Sequence, residues 1–250
     1  MLSASQKKII TKLHSSRGRK KTNLFLCEGE RSCLEAVKST PKSIEFAIIS
    51  EDSKIELGEV VFPIYYTDPK SFKELAATST PQGILLVIKE PEVSPLAEKL
   101  ADEFTLVLDR ITDPGNFGTI VRTAWAAGLK EVWYTKGTTD PYGSKAVRSG
   151  MGAHFYMRFR CFEDLKEVEQ KIGEFGGKLC LCKPLAETSC YSDDFSFTNN
   201  AIVVGNEANG IQYSSELAQD ITIPMPGNAE SLNVATAATI VIFEAVRRSQ

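Results

Sequence analysis

TLVLDRITDPGNFGTIVRTAWAAG, residues 105–128, decides the fold. Thr105–Asp109 is a short apolar run ending in an acid, Arg110–Asn116 is rich in Asp, Pro, Gly and Asn, and Phe117–Gly128 is apolar at helical spacing. Strand, loop and helix in that order build parallel sheets, because the helix returns the chain to start the next strand beside the first. The pattern recurs: strands are expected near Glu131–Thr135, Lys178–Cys182 and Ala201–Gly205, with helices near 163–174 and 231–248. Continuous apolar strands such as AIVVG at 201–205 belong in a sheet covered on both faces. Ligands of open parallel sheets bind outside the carboxyl ends of the strands, which singles out the loops after Asp109, Gly205 and Ile223.

Upstream of residue 100 the pattern is that of a smaller α/β unit. A helix with a Lys-rich face is expected over 5–14, followed by a Ser/Arg/Gly/Lys loop, a strand over Asn23–Glu28 and a helix near 29–39. Strands follow near Phe46–Ile49, Val60–Ile64 and Ile84–Ile88, and Asp68-Pro69 starts a helix near Ser71–Ala77. Lys89–Pro95, with two prolines and few large apolar residues, is expected to be a linker. The expected division is therefore 1–95 and 100–250.

With 42% hydrophobic and 24% charged residues, the 250-residue chain has an ordinary globular composition, which excludes collagen-like, coiled-coil and wholly disordered readings. The net charge of −3 conceals an asymmetry. Lys7, Lys8, Lys12, Arg17, Arg19, Lys20 and Lys21 precede any acid, and the rest of the chain carries 22 cations against 32 acids. A local cationic segment on an acidic body is either a footprint for phosphate or a solvated tail. No apolar run approaches a membrane span, and no apolar core follows the first cations, so a cytoplasmic protein is expected. Cys27, Cys33, Cys161, Cys180, Cys182 and Cys190 lack paired CxxC spacing and are expected as reduced core thiols. His14 and His154 are too few and too distant for a His-based metal centre or a Ser-His-Asp triad. No metal is expected.

The chain has no G-x-G-x-x-G, no G-x-x-x-x-G-K-[ST] and no G-x-S-x-G, which disfavours a dinucleotide dehydrogenase, a P-loop NTPase and an α/β-hydrolase. Three Gly- and Asn-rich loops remain: DPGNFGTIVRTA at 113–124, IVVGNEANG at 202–210 and IPMPGNAESLNVA at 223–235. Together, in this order, they resemble the three motifs of the SpoU (TrmH-type) RNA 2′-O-ribose methyltransferases of the SPOUT class. DPYGSKAVRSGMGA at 140–153 and TPQGIL at 80–85 resemble the same family. The resemblance implies a small N-terminal α/β substrate-binding domain followed by an α/β SPOUT domain with a largely parallel sheet and a C-terminal trefoil knot. It also implies S-adenosylmethionine as methyl donor, a homodimer, and structured RNA as partner, rRNA ahead of tRNA.

By that resemblance, Gly205, Ile223, Leu232, Met225 and Gly210 hold the cofactor, the first three through main-chain groups. Glycine at 205 suits close approach of backbone to ligand. The catalytic arginine falls on Arg122, with Asn116, Glu207, Ser231 and Asn233 as the other polar site positions. Arg122 interrupts an apolar helix, where a cation either faces a site or pairs with an acid such as Asp109 or Asp113. Asn116 and Ser231 also read as helix caps, Glu207 as a turn carboxylate, and Asn233 as an Asn one turn into a helix, where its propensity is poor. Lys7, Lys8, Arg17, Arg19, Lys20, Lys21 and Arg148 are the expected RNA contacts. A noncatalytic RNA-binding or ribosome-assembly factor on the same scaffold is the alternative; such a protein could lose Asn116, Arg122, Glu207 and Asn233, and all four are present.

Overall fold

A computed structural model describes residues 2–193 and 195–249. The chain forms two compact units, one running to Glu92 and including Asp140–Tyr156, the other comprising Val93–Thr139 and the chain from Met157 onward. The excursion at Asp140–Tyr156 was not evident from the sequence, which suggests a single break near residue 95.

In the first unit, α1 (Ala4–Leu13) begins at Ser3, whose side chain accepts from Gln6 N while Gln6 returns a bond to Ser3 N. The expected loop after it is instead a helix, α2 (Ser16–Thr22), started by the Ser15 side chain and ended by Asn23 in the left-handed region. A Cβ at Gly18 would lie 1.9 Å from Lys12 O, so α2 packs against the end of α1 only with glycine there. β1 (Leu24–Glu28) and α3 (Glu30–Ser39) follow as expected. β2 (Ile44–Ser50) leads to β3 (Ile64–Thr67), which starts where the expected strand ends, because Pro63 has no N–H for a ladder and its carbonyl takes the bond from Ala47 N. α4 (Pro69–Leu75) is capped by Asp68, and β4 (Ile84–Lys89) closes a sheet of order β1-β4-β2-β3. Ile10, Leu13, Leu26, Ile48, Phe72 and Leu85 share its core.

The second unit holds β5 (Thr105–Asp109), α5 (Pro114–Ala126) and β6 (Glu131–Thr135). The chain then contributes α6 (Ser144–Ser149) to the first unit and returns with β7 (Arg158–Phe162), α7 (Leu165–Glu174) and β8 (Leu179–Cys182). β9 (Thr188–Ser189), β10 (Ala201–Gly205), β11 (Gln219–Thr222) and α8 (Val234–Arg248) complete it. All seven strands run parallel in the order β7-β6-β5-β10-β8-β11-β9. The core on one face gathers Val107, Trp133, Val168, Ile172, Leu181 and Val203. The six cysteines are free, but Cys161, on the edge strand β7, is exposed and Cys182 is half-buried, so these two are not core thiols.

Candidate active site

The loop after β10 is shaped by its own packing. A Cβ on Gly205 would lie 2.4 Å from Ile211 Cγ1 and 3.0 Å from the Gly210 carbonyl carbon, so glycine is needed for the loop to fold back on itself. Glycine at 205 is thus required by the loop's own packing. Gly210 adopts φ 62, and an isolated bridge joins it to Asn206. Asn206 Oδ1 accepts from Ala208 N and Asn209 N at 3.0 Å each, and its Nδ2 donates to Arg110 O at 2.9 Å. Asn206 thus fixes this loop and fastens it to the loop after β5. The sequence reading passed over it, although Asn followed by turn residues is the signal of such a side-chain-to-backbone turn.

Asn116, Glu207 and Asn233 come together. Asn116 Nδ2 donates to Glu207 Oε1 at 2.9 Å, Thr112 Oγ1 donates to Glu207 Oε2 at 3.4 Å, and Asn233 Nδ2 donates to Asn116 Oδ1 at 3.1 Å. Asn116 is not the cap of α5: Asp113 is, accepting from Asn116 N at 2.8 Å. Asn233 is not inside α8 but is its cap, with Oδ1 accepting from Ala235 N and Thr236 N. That removes the propensity conflict, since Asn is favoured at a helix start. Ser231 caps nothing; it lies exposed in the loop before Asn233.

A cavity of about 390 Å³ opens at the carboxyl ends of β8, β10 and β11 and at the start of α8. Gly205, Gly210, Ile223, Met225 and Leu232 all line it, as do Glu207 and Ser231. Val204, Val234 and Ala237 add apolar wall, and burial pushes the Cys182 thiol well up, so it lines the cavity as a neutral group. The charged members are Glu207, Glu230 and Lys183, and Lys183 Nζ is paired with Asp220 at 2.9 Å. Apolar walls with two carboxylates that have no ion pair among the described residues suit a ligand that combines a flat heterocycle with a cationic end, which is the character of S-adenosylmethionine.

Arg122 is not among these contacts. It is exposed on α5, beside Thr119, Trp125 and Ala126, with no ion pair among the described residues. The acids proposed as its partners are used otherwise: Asp109 accepts from Thr135 Oγ1 at 2.7 Å and from Arg110, and Asp113 caps α5. Of the basic residues, Lys7, Lys8, Arg17, Lys20 and Lys21 are exposed and Arg148 is partly buried. Arg19 is not a surface cation. It is 6% exposed, with Nε and Nη2 donating to Asp140 Oδ2 and Nη1 to Leu13 O, so all three guanidinium nitrogens are already engaged within the protein. Among the described residues no cluster of His, Cys, Asp or Glu is placed to hold a metal, and no helix is long and apolar enough to cross a membrane.

The SpoU rRNA Methylase family matches residues 103–243, and the MRM3-like substrate binding domain matches residues 5–86. Fold and site together define a SPOUT-class methyltransferase with a substrate-binding domain in front of it. The chain belongs to the SpoU (TrmH-type) RNA 2′-O-ribose methyltransferase family. It is 36% identical to the 23S rRNA (guanosine(2553)-2'-O)-methyltransferase RlmP of Bacillus subtilis, over 93% of this chain and 92% of that one. Its structure resembles the TrmH-family putative RNA methyltransferase of Porphyromonas gingivalis (TM-score 0.84, 27% identity, 99% of each chain). The SpoU methyltransferase AviRb of Streptomyces viridochromogenes, solved with AdoMet, is similar at TM-score 0.84 and 25% identity, over 99% of this chain and 98% of that one.

Proposed function

We propose that the protein methylates a ribose 2′-hydroxyl of ribosomal RNA, with S-adenosylmethionine as donor. The observation that carries this reading is the hydrogen-bonded chain Asn233–Asn116–Glu207 beside a cavity lined by every residue expected to hold the donor. The donor supplies a methyl group made electrophilic by its sulfonium. Glu207 and Glu230 offer carboxylates to its cationic end, while Ile223, Met225 and Leu232 enclose its apolar parts. Asn116 and Asn233 hold Glu207 in place, so that the nucleophile meets a fixed site, and positioning of this kind contributes up to ~7–11 kcal/mol.

A guanidinium is a poor proton acceptor, which favours a gripping role for Arg122 over that of a general base. It grips the target phosphate and stabilises charge developing on the 2′-oxygen, with the proton leaving to phosphate or solvent. As Arg122 stands exposed on α5, with Trp125 on the same face and Phe243 exposed on α8, we infer that these faces pack against a second copy and that the site is completed across a homodimer. Residues 1–95 choose the RNA, the C-terminal segment forms the family's trefoil knot, and the protein works in the cytoplasm, where ribosomes are assembled. Ribosomal RNA is favoured over tRNA because the relative RlmP is named for 23S rRNA. The reading is tested by incubating the protein with labelled S-adenosylmethionine and unmodified rRNA or tRNA: alkali-resistant label in one rRNA dinucleotide supports it, and label in base or in no RNA overturns it.

A further inference from the structure

A second cavity, of about 640 Å³, lies wholly within the first unit, between the start of α3, the 78–82 segment and α6. Glu28, at the end of β1, is 3% exposed; its Oε1 accepts from Ala77 N at 2.7 Å, while its Oε2 has no partner among the described residues. Arg148, from α6, borders the same cavity, and its Nη1 is also buried without a partner. A buried carboxylate oxygen and a buried guanidinium nitrogen that do not bond each other are each costly to leave unmet. Both atoms are sealed from solvent, but their side chains line the cavity and are rotatable, so an entering ligand meets them once the side chains turn toward it.

The surroundings narrow the chemistry. Gly29, at φ 95, starts α3 with no side-chain cap, and Gln82 Oε1 takes only the Glu30 amide at 2.9 Å, leaving the Arg31 and Ser32 amides without intrahelical acceptors. Amides and Arg148 call for acceptors, whereas Glu28, with Glu30 and Glu35 beside it, calls for donors and opposes a bare phosphate. Leu34, 40% exposed, and Met151 offer apolar surface to a flat ring.

We propose that this cavity takes an unstacked guanine base of the RNA substrate. Guanine places two N–H donors, N1–H and N2–H2, beside the acceptors O6 and N7; the donors meet Glu28 and the acceptors meet Arg148. This inference rests on the RNA methyltransferase reading, and it assigns the first unit a base-specific contact in addition to its exposed lysines.

The test is an amide chemical-shift titration of the full chain with GMP, AMP and ribose 5-phosphate. GMP is expected to shift the amides of Gly29–Ser32 saturably, AMP to bind about fivefold or more weakly, and Glu28→Gln and Arg148→Met each to weaken GMP by a similar factor. Arg148→Met is the control should Glu28→Gln fail to fold, and retained S-adenosylmethionine binding by calorimetry reports an intact second unit. No shift at about 20 mM GMP, equal shifts with ribose 5-phosphate, or wild-type titration by the variants overturns the proposal. Wild-type methyl transfer to rRNA is measured in parallel: its absence with GMP binding intact overturns the function reading alone, and the converse overturns the guanine site alone.

Discussion

Asn233 Nδ2 donates to Asn116 Oδ1 across 3.1 Å, joining the start of α8 to the first turn of α5 over 117 residues of chain. The same Asn116 donates to Glu207, so one amide ties the loops after β5 and β10 to the segment after β11. An amide is the group that can do this, because it accepts from one neighbour and donates to the other.

Asn116→Ala removes both bonds, and Asn116→Asp sets a second carboxylate against Glu207 with no donor to offer. Stability is expected to fall by about 1 kcal/mol for Ala. Methyl transfer is expected to fall about 10²-fold, because the site loses its alignment. Single-turnover rates and calorimetric donor affinity check this: wild-type rates in both variants would show that the amide bridge is not part of the machinery.

Arg122→Lys keeps the charge but loses the planar fork that grips phosphate through two parallel bonds, and the rate is expected to drop at least about tenfold with donor affinity unchanged. If Arg122 serves the partner's site, mixing Arg122→Ala with Asn116→Ala rebuilds one intact site per heterodimer. A statistical mixture of the two inactive proteins then recovers about a quarter of wild-type activity. Recovery of nothing, in a mixture shown to exchange subunits, places Arg122 in its own subunit's site.

The basic lead-in has two kinds of cation. Arg19→Ala breaks a buried pair with Asp140 and is expected to cost about 3 kcal/mol in the stability of the first unit, measured by denaturant unfolding. Replacing exposed Lys7, Lys8, Arg17, Lys20 and Lys21 by Gln leaves stability nearly unchanged and lowers the salt slope of RNA binding by roughly 0.7 per lost phosphate contact. Deleting the whole segment would confuse the two, because Ile10 and Leu13 are core. An unchanged slope in the Gln variant would remove the segment from the RNA interface.

His154 is buried in the first unit, and burial pushes its imidazole down to about 4 from 6.5, with a bond to Pro141 opposing. The folded state holds the neutral ring while the unfolded chain takes up a proton below its own pKa. The stabilisation is therefore complete above about pH 6.5 and declines until about pH 4, by up to about 3 kcal/mol. His154→Gln is expected to flatten stability across that window; an equally steep decline in the variant would assign it to other groups.

Much of the second unit was legible because its strands are continuous apolar runs, as a sheet buried on both faces requires, and because Gly, Asn and Pro mark the loops at its carboxyl edge. β11 escaped because Gln219–Thr222 presents mostly polar side chains near the sheet's edge, where one buried residue, Ile221, suffices. α2 escaped because SRGRKKT has little apolar pattern; it is held by a cap, by Gly18 against α1 and by the long-range pair of Arg19 with Asp140, none of which has a local signature. The site loops gave Asn116, Glu207 and Asn233 by resemblance, but which caps and which bridges depends on where α5 and α8 begin. Helix starts are settled by side-chain bonds from Asp113 and Asn233 that composition does not rank.

The central claim is that this chain methylates a ribose of ribosomal RNA through the site built on Asn116, Glu207 and Arg122. The most direct measurement is a map of ribose methylation across rRNA and tRNA from cells with and without the gene. The account predicts one rRNA position that loses its 2′-O-methyl group, regained with the wild-type gene and not with Arg122→Ala. An unchanged rRNA map, or full restoration by Arg122→Ala, would contradict it.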